Sequence, residues 1–105
     1  MGSIALHFDG LRRQQPLLSS TTIGRHWSNS VEVRDARMPL RWIEIRWSGS
    51  HWMWRAFSSG ETRGSGRLIE DGWRDFTRGR SPGENRTGAR ITCGDAGWVE
   101  LLDSS

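Results

Sequence analysis

Apolar and polar residues alternate with a period of two in several short stretches, and no stretch repeats at the three-to-four spacing of an amphipathic helix. The cleanest alternation runs from Arg41 to Trp47: Ile43, Ile45 and Trp47 fall on one face, and Trp42, Glu44 and Arg46 on the other. Ser48-Gly49-Ser50 reads as a hairpin turn, and His51 to Phe57 returns with Trp52, Trp54 and Ala56 on one face. Two adjacent strands with facing Ile and Trp sets make half of a sandwich core. Upstream, Ile4 to Phe8 is a strand ending at the turn signal Asp9-Gly10. Leu11 to Pro16 is polar and is read as a crossing to a second strand over Leu17 to Ile23. Val31 to Arg34 is a third strand, followed by a loop from Asp35 to Leu40.

Downstream of Phe57 the pattern weakens. Ser58 to Gly66 is rich in Ser and Gly and reads as loop, with a short strand over Gly66 to Ile69. Gly72, Gly79, Pro82 and Gly83 break any long element between Asp71 and Arg86, leaving room for one helical turn at Asp75-Phe76-Thr77-Arg78. That segment, about 71–88, is expected to be a surface insertion. Ala89 to Cys93 and Trp98 to Leu102 close the chain as strands joined by Gly94-Asp95-Ala96-Gly97. Regular short strands separated by turn signals predict an all-β sandwich.

With 105 residues, the chain is expected to form one domain, spanning 1–105. No run approaches the ~18 apolar residues of a membrane-spanning helix, and no secretory leader pattern opens the chain. The single Cys93 excludes an internal disulfide framework and, at an apolar position of a strand, reads as a buried structural thiol. A cytoplasmic setting agrees with this. All 15 basic residues are Arg, yet the formal charge is only +3, too low for a polybasic nucleic-acid arm. A GC-rich genome produces the same Arg bias, although Arg beside Trp also suits anionic or planar partners.

The stretch from Ile23 to Asp35 carries the most information. Gly24 permits a tight backbone at a strand end, and Arg25 offers a fork of donors suited to carboxylate or phosphate. The run Gly24-Arg25, His26-Trp27-Ser28, Asn29-Ser30, Val31-Glu32-Val33 resembles, without a gap, the opening motif of the forkhead-associated (FHA) domain. The closing run, Arg90-Ile91 through Gly94-Asp95 to Val99 and Leu101, resembles that family's ending. The resemblance implies an SMAD/FHA-type β-sandwich of about ten short antiparallel strands that binds phosphothreonine peptides through three loops at one end.

The same resemblance implies that much of the phosphate chemistry is altered. Arg25 keeps the first loop's role. In the second loop, Asp35-Ala36-Arg37-Met38-Pro39-Leu40-Arg41-Trp42 aligns with the family pattern so that Pro39 takes the place of Ser, Leu40 that of Arg and Trp42 that of His. Pro offers neither a hydroxyl nor an N–H, and Leu40 removes a cation. In the third loop Ser59 keeps a Ser, but either Glu61-Thr62-Arg63 or, with an insertion, Arg63-Gly64-Ser65 falls on Asn-Gly-Thr. Each lost hydrogen bond to a charged group removes about 1.5–3 kcal/mol. Two or three such losses turn micromolar binding into millimolar.

The expected function is therefore a non-catalytic protein-interaction module of FHA type with lost or altered phosphothreonine recognition. Its expected partner-binding residues are Arg25, Asn29, Arg37, Met38, Leu40, Arg41, Ser59, Glu61 and Arg63. Met38, Leu40 and Trp42 would form an apolar patch, and Arg25 would pair with Glu61. The partner is a protein or phosphoprotein, with no membrane, cofactor or metal involved. One alternative is phosphopeptide binding rescued by Arg37, Arg41 or Arg63. Another is an Arg/Trp nucleic-acid platform using Trp27, Trp42 and Trp73, which the core pattern of the other Trp residues disfavours. His7, His26 and His51 are scattered, and no Gly-x-Ser-x-Gly, P-loop or HExxH pattern points to an enzyme.

Overall fold

Asp9-Gly10 closes a two-residue hairpin, with Gly10 at φ 77° supplying the left-handed conformation such turns need. It joins β1 (Gly2–Phe8) to β2 (Leu11–Pro16), paired from Phe8 and Leu11 to Ser3 and Pro16. The polar run expected to be a crossing is thus a strand. Main-chain pairing needs no apolar side chains where a strand lies at a sheet edge and faces water. The computed structural model describes residues 2–57, 72–76 and 90–102 and the backbone of 62–64 and 103.

The remaining strands are β3 (Ser20–Gly24), β4 (Val31–Glu32), β5 (Ile43–Trp47), β6 (Trp52–Ala56), β7 (Thr62–Gly64), β8 (Arg74–Asp75), β9 (Arg90–Cys93) and β10 (Gly97–Asp103). They form two five-stranded sheets, in the orders β2-β1-β10-β9-β7 and β4-β3-β5-β6-β8. The architecture is an all-β sandwich, and no helix occurs among the described residues. All pairings are antiparallel except β3 with β4, which run parallel.

Alternation places the core as the hydrophobic pattern requires. Ile4, Leu6 and Phe8 of β1, with Ile91, Val99 and Leu101, face Ile23, Ile43, Ile45, Trp52 and Trp54 of the second sheet, all buried. Burying each such side chain contributes about 1.5–3 kcal/mol. Cys93 is a free, buried thiol, as its apolar position implies.

Several expectations are corrected. The third strand, expected to reach Arg34, ends at Glu32: the Val33 N–H makes the last bond of the parallel pairing, to Gly24 O at 2.9 Å, and the chain then turns, with Asp35 N donating to Val33 O at 2.9 Å. Thr62–Gly64, read as loop, is a strand on the free edge of β9. The expected strand at Gly66 to Ile69 lies outside the described residues. Asp75, read as helical, pairs with Met53 in β8, and Phe76 is fully buried rather than on a surface excursion. The free edge of β6 and the apolar interior outweigh the weak local helix signal. The rest of the insertion about 71–88 lies outside the described residues. Trp42, expected to face outward with Glu44, is buried because β5 begins only at Ile43, so strand alternation does not govern it. Its ring meets Phe8 edge-on, 5.9 Å between centroids. Trp47 has the inward phase but is exposed at the far end of β5, against Trp52 at 5.0 Å.

The outer face of the second sheet carries one buried carboxylate. Burial pushes the Glu44 carboxyl up, but hydrogen bonds from Ser20, Arg46 and Arg55 outweigh burial and hold it below its ordinary value. The guanidiniums of Arg46 and Arg55 also lie 5.0 and 4.8 Å from the Trp73 ring. Trp73 is therefore covered.

Candidate functional site

Register fixes which loops meet. Ile23 pairs with Ile43, and Ile43 with Ala56, so the end of β3, the start of β5 and the end of β6 share one end of the sandwich. The Arg25 loop, the loop from Val33 to Trp42 and the chain leaving Ala56 all emerge there, as the resemblance implies.

The first two loops are bonded along their length. Arg25 N donates to Pro39 O at 2.9 Å and His26 N to Leu40 O at 3.2 Å. This approach explains Gly24: a Cβ there would collide with the Leu40 carbonyl oxygen and meet Arg41 Cα and Asn29 Nδ2 at 2.9 Å. The Asn29 side chain is buried, 9% exposed, and its Nδ2 donates to His26 O at 2.7 Å and Leu40 O at 2.8 Å. Asn29 thus ties the loops together and faces inward. Arg25 is exposed; its Nε donates to Met38 O at 3.1 Å, and its terminal nitrogens have no partner among the described residues.

Arg37 is tied down on the opposite side. It donates to both carboxylate oxygens of Asp35 at 3.0 and 2.8 Å, to Asp9 Oδ2 at 3.2 Å and to Asp95 O at 3.0 Å. One side chain therefore joins the β4–β5 loop to the β1–β2 and β9–β10 turns of the other sheet. The Arg37 side chain and backbone bonds lower the Asp35 pKa to about 2, and the two carboxylates raise that of Arg37.

The expected apolar patch is only partly present. Met38 is 1% exposed and Trp42 is fully buried, so both belong to the core. Pro39 and Arg37 anchor the loop on either side of Met38, which points its side chain between the sheets. Leu40, 52% exposed, and Trp27, 76% exposed, are the large apolar side chains on these two loops that face solvent. Arg41 is exposed and has no hydrogen-bond or ion-pair partner among the described residues. Phe57, bonded through its N–H to Trp42 O at 2.9 Å, adds a third partly exposed apolar side chain at this end. The chain thus brings Arg25, Trp27, Leu40, Arg41 and Phe57 to one end. Sequence reasoning left Phe57 out of the site, although its place at the end of an alternating strand marks it as a loop-end residue. Ser59 and Glu61, and with them the expected Arg25–Glu61 pair, lie outside the described residues. Arg63 is described by its backbone alone, in β7 opposite Thr92.

Of the proposed nucleic-acid set, Trp42 is in the core and Trp73 is covered, leaving Trp27 alone. A stacking platform needs successive open rings, and these residues do not form one.

No family model matches the chain, and no curated protein matches it in sequence. Solved structures do match along its whole length. The Slr1951 protein of Synechocystis superposes with a TM-score of 0.73 at 13% identity, covering 99% of this chain and 96% of that one. The FHA domain of CT664 from Chlamydia trachomatis gives 0.70 at 10% identity, with 99% and 98% covered. The FhaA FHA domain, solved in complex with the intracellular domain of Rv3910, gives 0.65 at 21% identity, with 97% and 100% covered. Topology, loop placement and these superpositions agree that the chain folds as an FHA-type β-sandwich.

Proposed function

We propose that this chain is a non-catalytic module that binds a protein partner through the loop end. The FhaA FHA domain, which shares its fold, was solved bound to another protein's intracellular domain. The observation that carries the reading is the grouping of exposed Leu40 and Trp27 with two guanidiniums, Arg25 and Arg41, that no carboxylate among the described residues neutralises. Apolar anchors beside Arg are the usual composition of an interface centre. The loops bearing them are held by Asn29 and Arg37, so little ordering is needed on binding. On this reading the surface recognised is unphosphorylated: Leu40 makes the central contact and Arg25 lies at the rim. The lone buried thiol agrees with a cytoplasmic setting.

Phosphopeptide binding is the second reading, and the lack of a carboxylate partner for Arg25 and Arg41 among the described residues favours it. It would rely on Arg41 rather than Arg37, whose donors are committed to Asp35, Asp9 and Asp95.

The test is capture of a partner by the immobilised chain, with and without phosphatase treatment of that partner. The unphosphorylated reading expects Leu40→Asp to abolish capture with the fold intact, Arg25→Ala to weaken it modestly, and phosphatase to change nothing. Loss of capture on both Arg25→Ala and phosphatase treatment would establish the phosphate reading instead.

A further inference from the structure

Of the four sheet edges, β4 and β8 have two residues each and β7 has three, whereas β2 has six. The phase of its hydrogen bonding follows from one bond. Leu17 N donates to Gly2 O at 3.0 Å, so bonded pairs continue at alternate positions: Ile4 with Gln15, Leu6 with Arg13, Phe8 with Leu11. The N–H and C=O groups of Arg12 and Gln14, and the C=O of Pro16, therefore point away from β1, and no other strand borders them among the described residues. Pro16, which has no N–H, stands at a position where none is needed for β1.

The side chains of this edge carry unbalanced charge. Arg12, Arg13 and Gln14 are exposed, and neither Arg has an ion-pair partner among the described residues. Being consecutive in a strand, the two guanidiniums lie on opposite faces of the sheet. By contrast Arg34, Arg37, Arg46 and Arg55 each have a carboxylate. The nearest acid along the chain, Asp9, is engaged by Arg37.

We infer that β2 is a docking edge for an extended acidic segment of a partner protein, which adds to the first sheet as a sixth strand. Main-chain bonds to Arg12 and Gln14 would supply affinity, and two successive carboxylates, one on each face, would pair with Arg12 and Arg13. The same charges turn away apolar and basic strands, which is how an edge stays soluble while remaining selective. This surface is separate from the loop-end site and does not depend on it.

The probe is the capped hexapeptide Thr-Thr-Glu-Glu-Thr-Thr, with Thr-Thr-Lys-Lys-Thr-Thr as its counterpart, titrated into the full chain and read by amide NMR. The expected result is saturable binding of the acidic peptide only, with slowed exchange of the Arg12 and Gln14 amides, weakening as salt shortens the screening length below about 8 Å. Gln14→Pro removes an outward N–H without breaking a bond to β1 and should weaken binding about tenfold or more. The double variant Arg12→Glu/Arg13→Glu should switch preference to the Lys peptide, which keeps the test decisive if the proline variant fails to fold. Leu40→Asp should leave peptide binding unchanged, separating this edge from the loop end. The inference is overturned if the peptide shifts only the Arg25 and Arg41 amides, if charge reversal does not switch preference, or if sedimentation shows that β2 is occupied by a second copy of the chain.

Discussion

Replacing Asn29 by Asp changes one NH2 to oxygen and reverses the electrostatics at the junction of the two loops. Nδ2 donates to two carbonyl oxygens, His26 O and Leu40 O, at 2.7 and 2.8 Å. Each carbonyl keeps a second donor, since Asn29 N bonds His26 O at 3.1 Å and His26 N bonds Leu40 O at 3.2 Å. Asn29→Ala therefore removes two bonds without orphaning an acceptor, a loss of about 1–3 kcal/mol at roughly 0.5–1.5 kcal/mol per bond. The carboxylate does more harm, because it offers no donor and sits largely buried against two carbonyls. Its loss at neutral pH should be at least about 3 kcal/mol. For a domain of this size about 4–5 °C of Tm corresponds to each kcal/mol. Calorimetry should then show a fall of about 4–15 °C for Asn29→Ala and a larger one for Asn29→Asp at pH 7. The introduced carboxyl has a folded pKa above its unfolded value, so its penalty shrinks as pH falls and the neutral acid regains a donor. The deficit of Asn29→Asp relative to Asn29→Ala should narrow toward pH 4. An Asn29→Asp protein with unchanged Tm at pH 7 would refute the account and return Asn29 to the surface as a partner contact.

Gly24→Ala should destabilise the chain by about 1–3 kcal/mol in urea titration, because the obstruction is the backbone of Leu40 and Arg41 rather than a movable side chain. Phe76→Ala should lose about 3–5 kcal/mol, since Phe76 is fully buried; a loss near zero would return it to the surface. For Asp35, the folded pKa of about 2 lies below the unfolded 3.8. Its contribution is complete above about pH 4 and is lost as pH falls through 3.8 toward 2. Arg37→Met should therefore flatten the acid limb of a stability–pH curve between those values, and an unchanged limb would refute the linkage.

How much was legible from residues alone follows from the range of the forces involved. Period-two alternation in Ile43–Trp47 and Trp52–Ala56 is a local signal, and it gave the strands, the sandwich class and the inward places of Ile43, Ile45, Trp52 and Trp54, while Trp47 and Ala56, which share that phase, are exposed. Gly24-Arg25 and its spacing to Val33 placed the first loop, and the shared register placed the second beside it. Leu11–Pro16 was missed because an edge strand is held by main-chain bonds, which leave no apolar trace. The strand Arg74–Asp75, with buried Phe76 following it, was missed because a two-residue strand is defined by the neighbour it pairs with, not by its own propensity. Among the site residues, type alone could not separate Met38 from Leu40. Both are apolar and lie two positions apart, yet one packs between the sheets and the other faces water. Nor could it separate Arg37 from Arg41. The sequence by itself determined the strand class, the buried thiol and the place of the Arg25 loop, because those depend on neighbours along the chain. Only the tertiary structure decided which arginines are neutralised and which side of a loop is buried, because Asp9, Asp95 and Phe8 reach that loop from the opposite sheet.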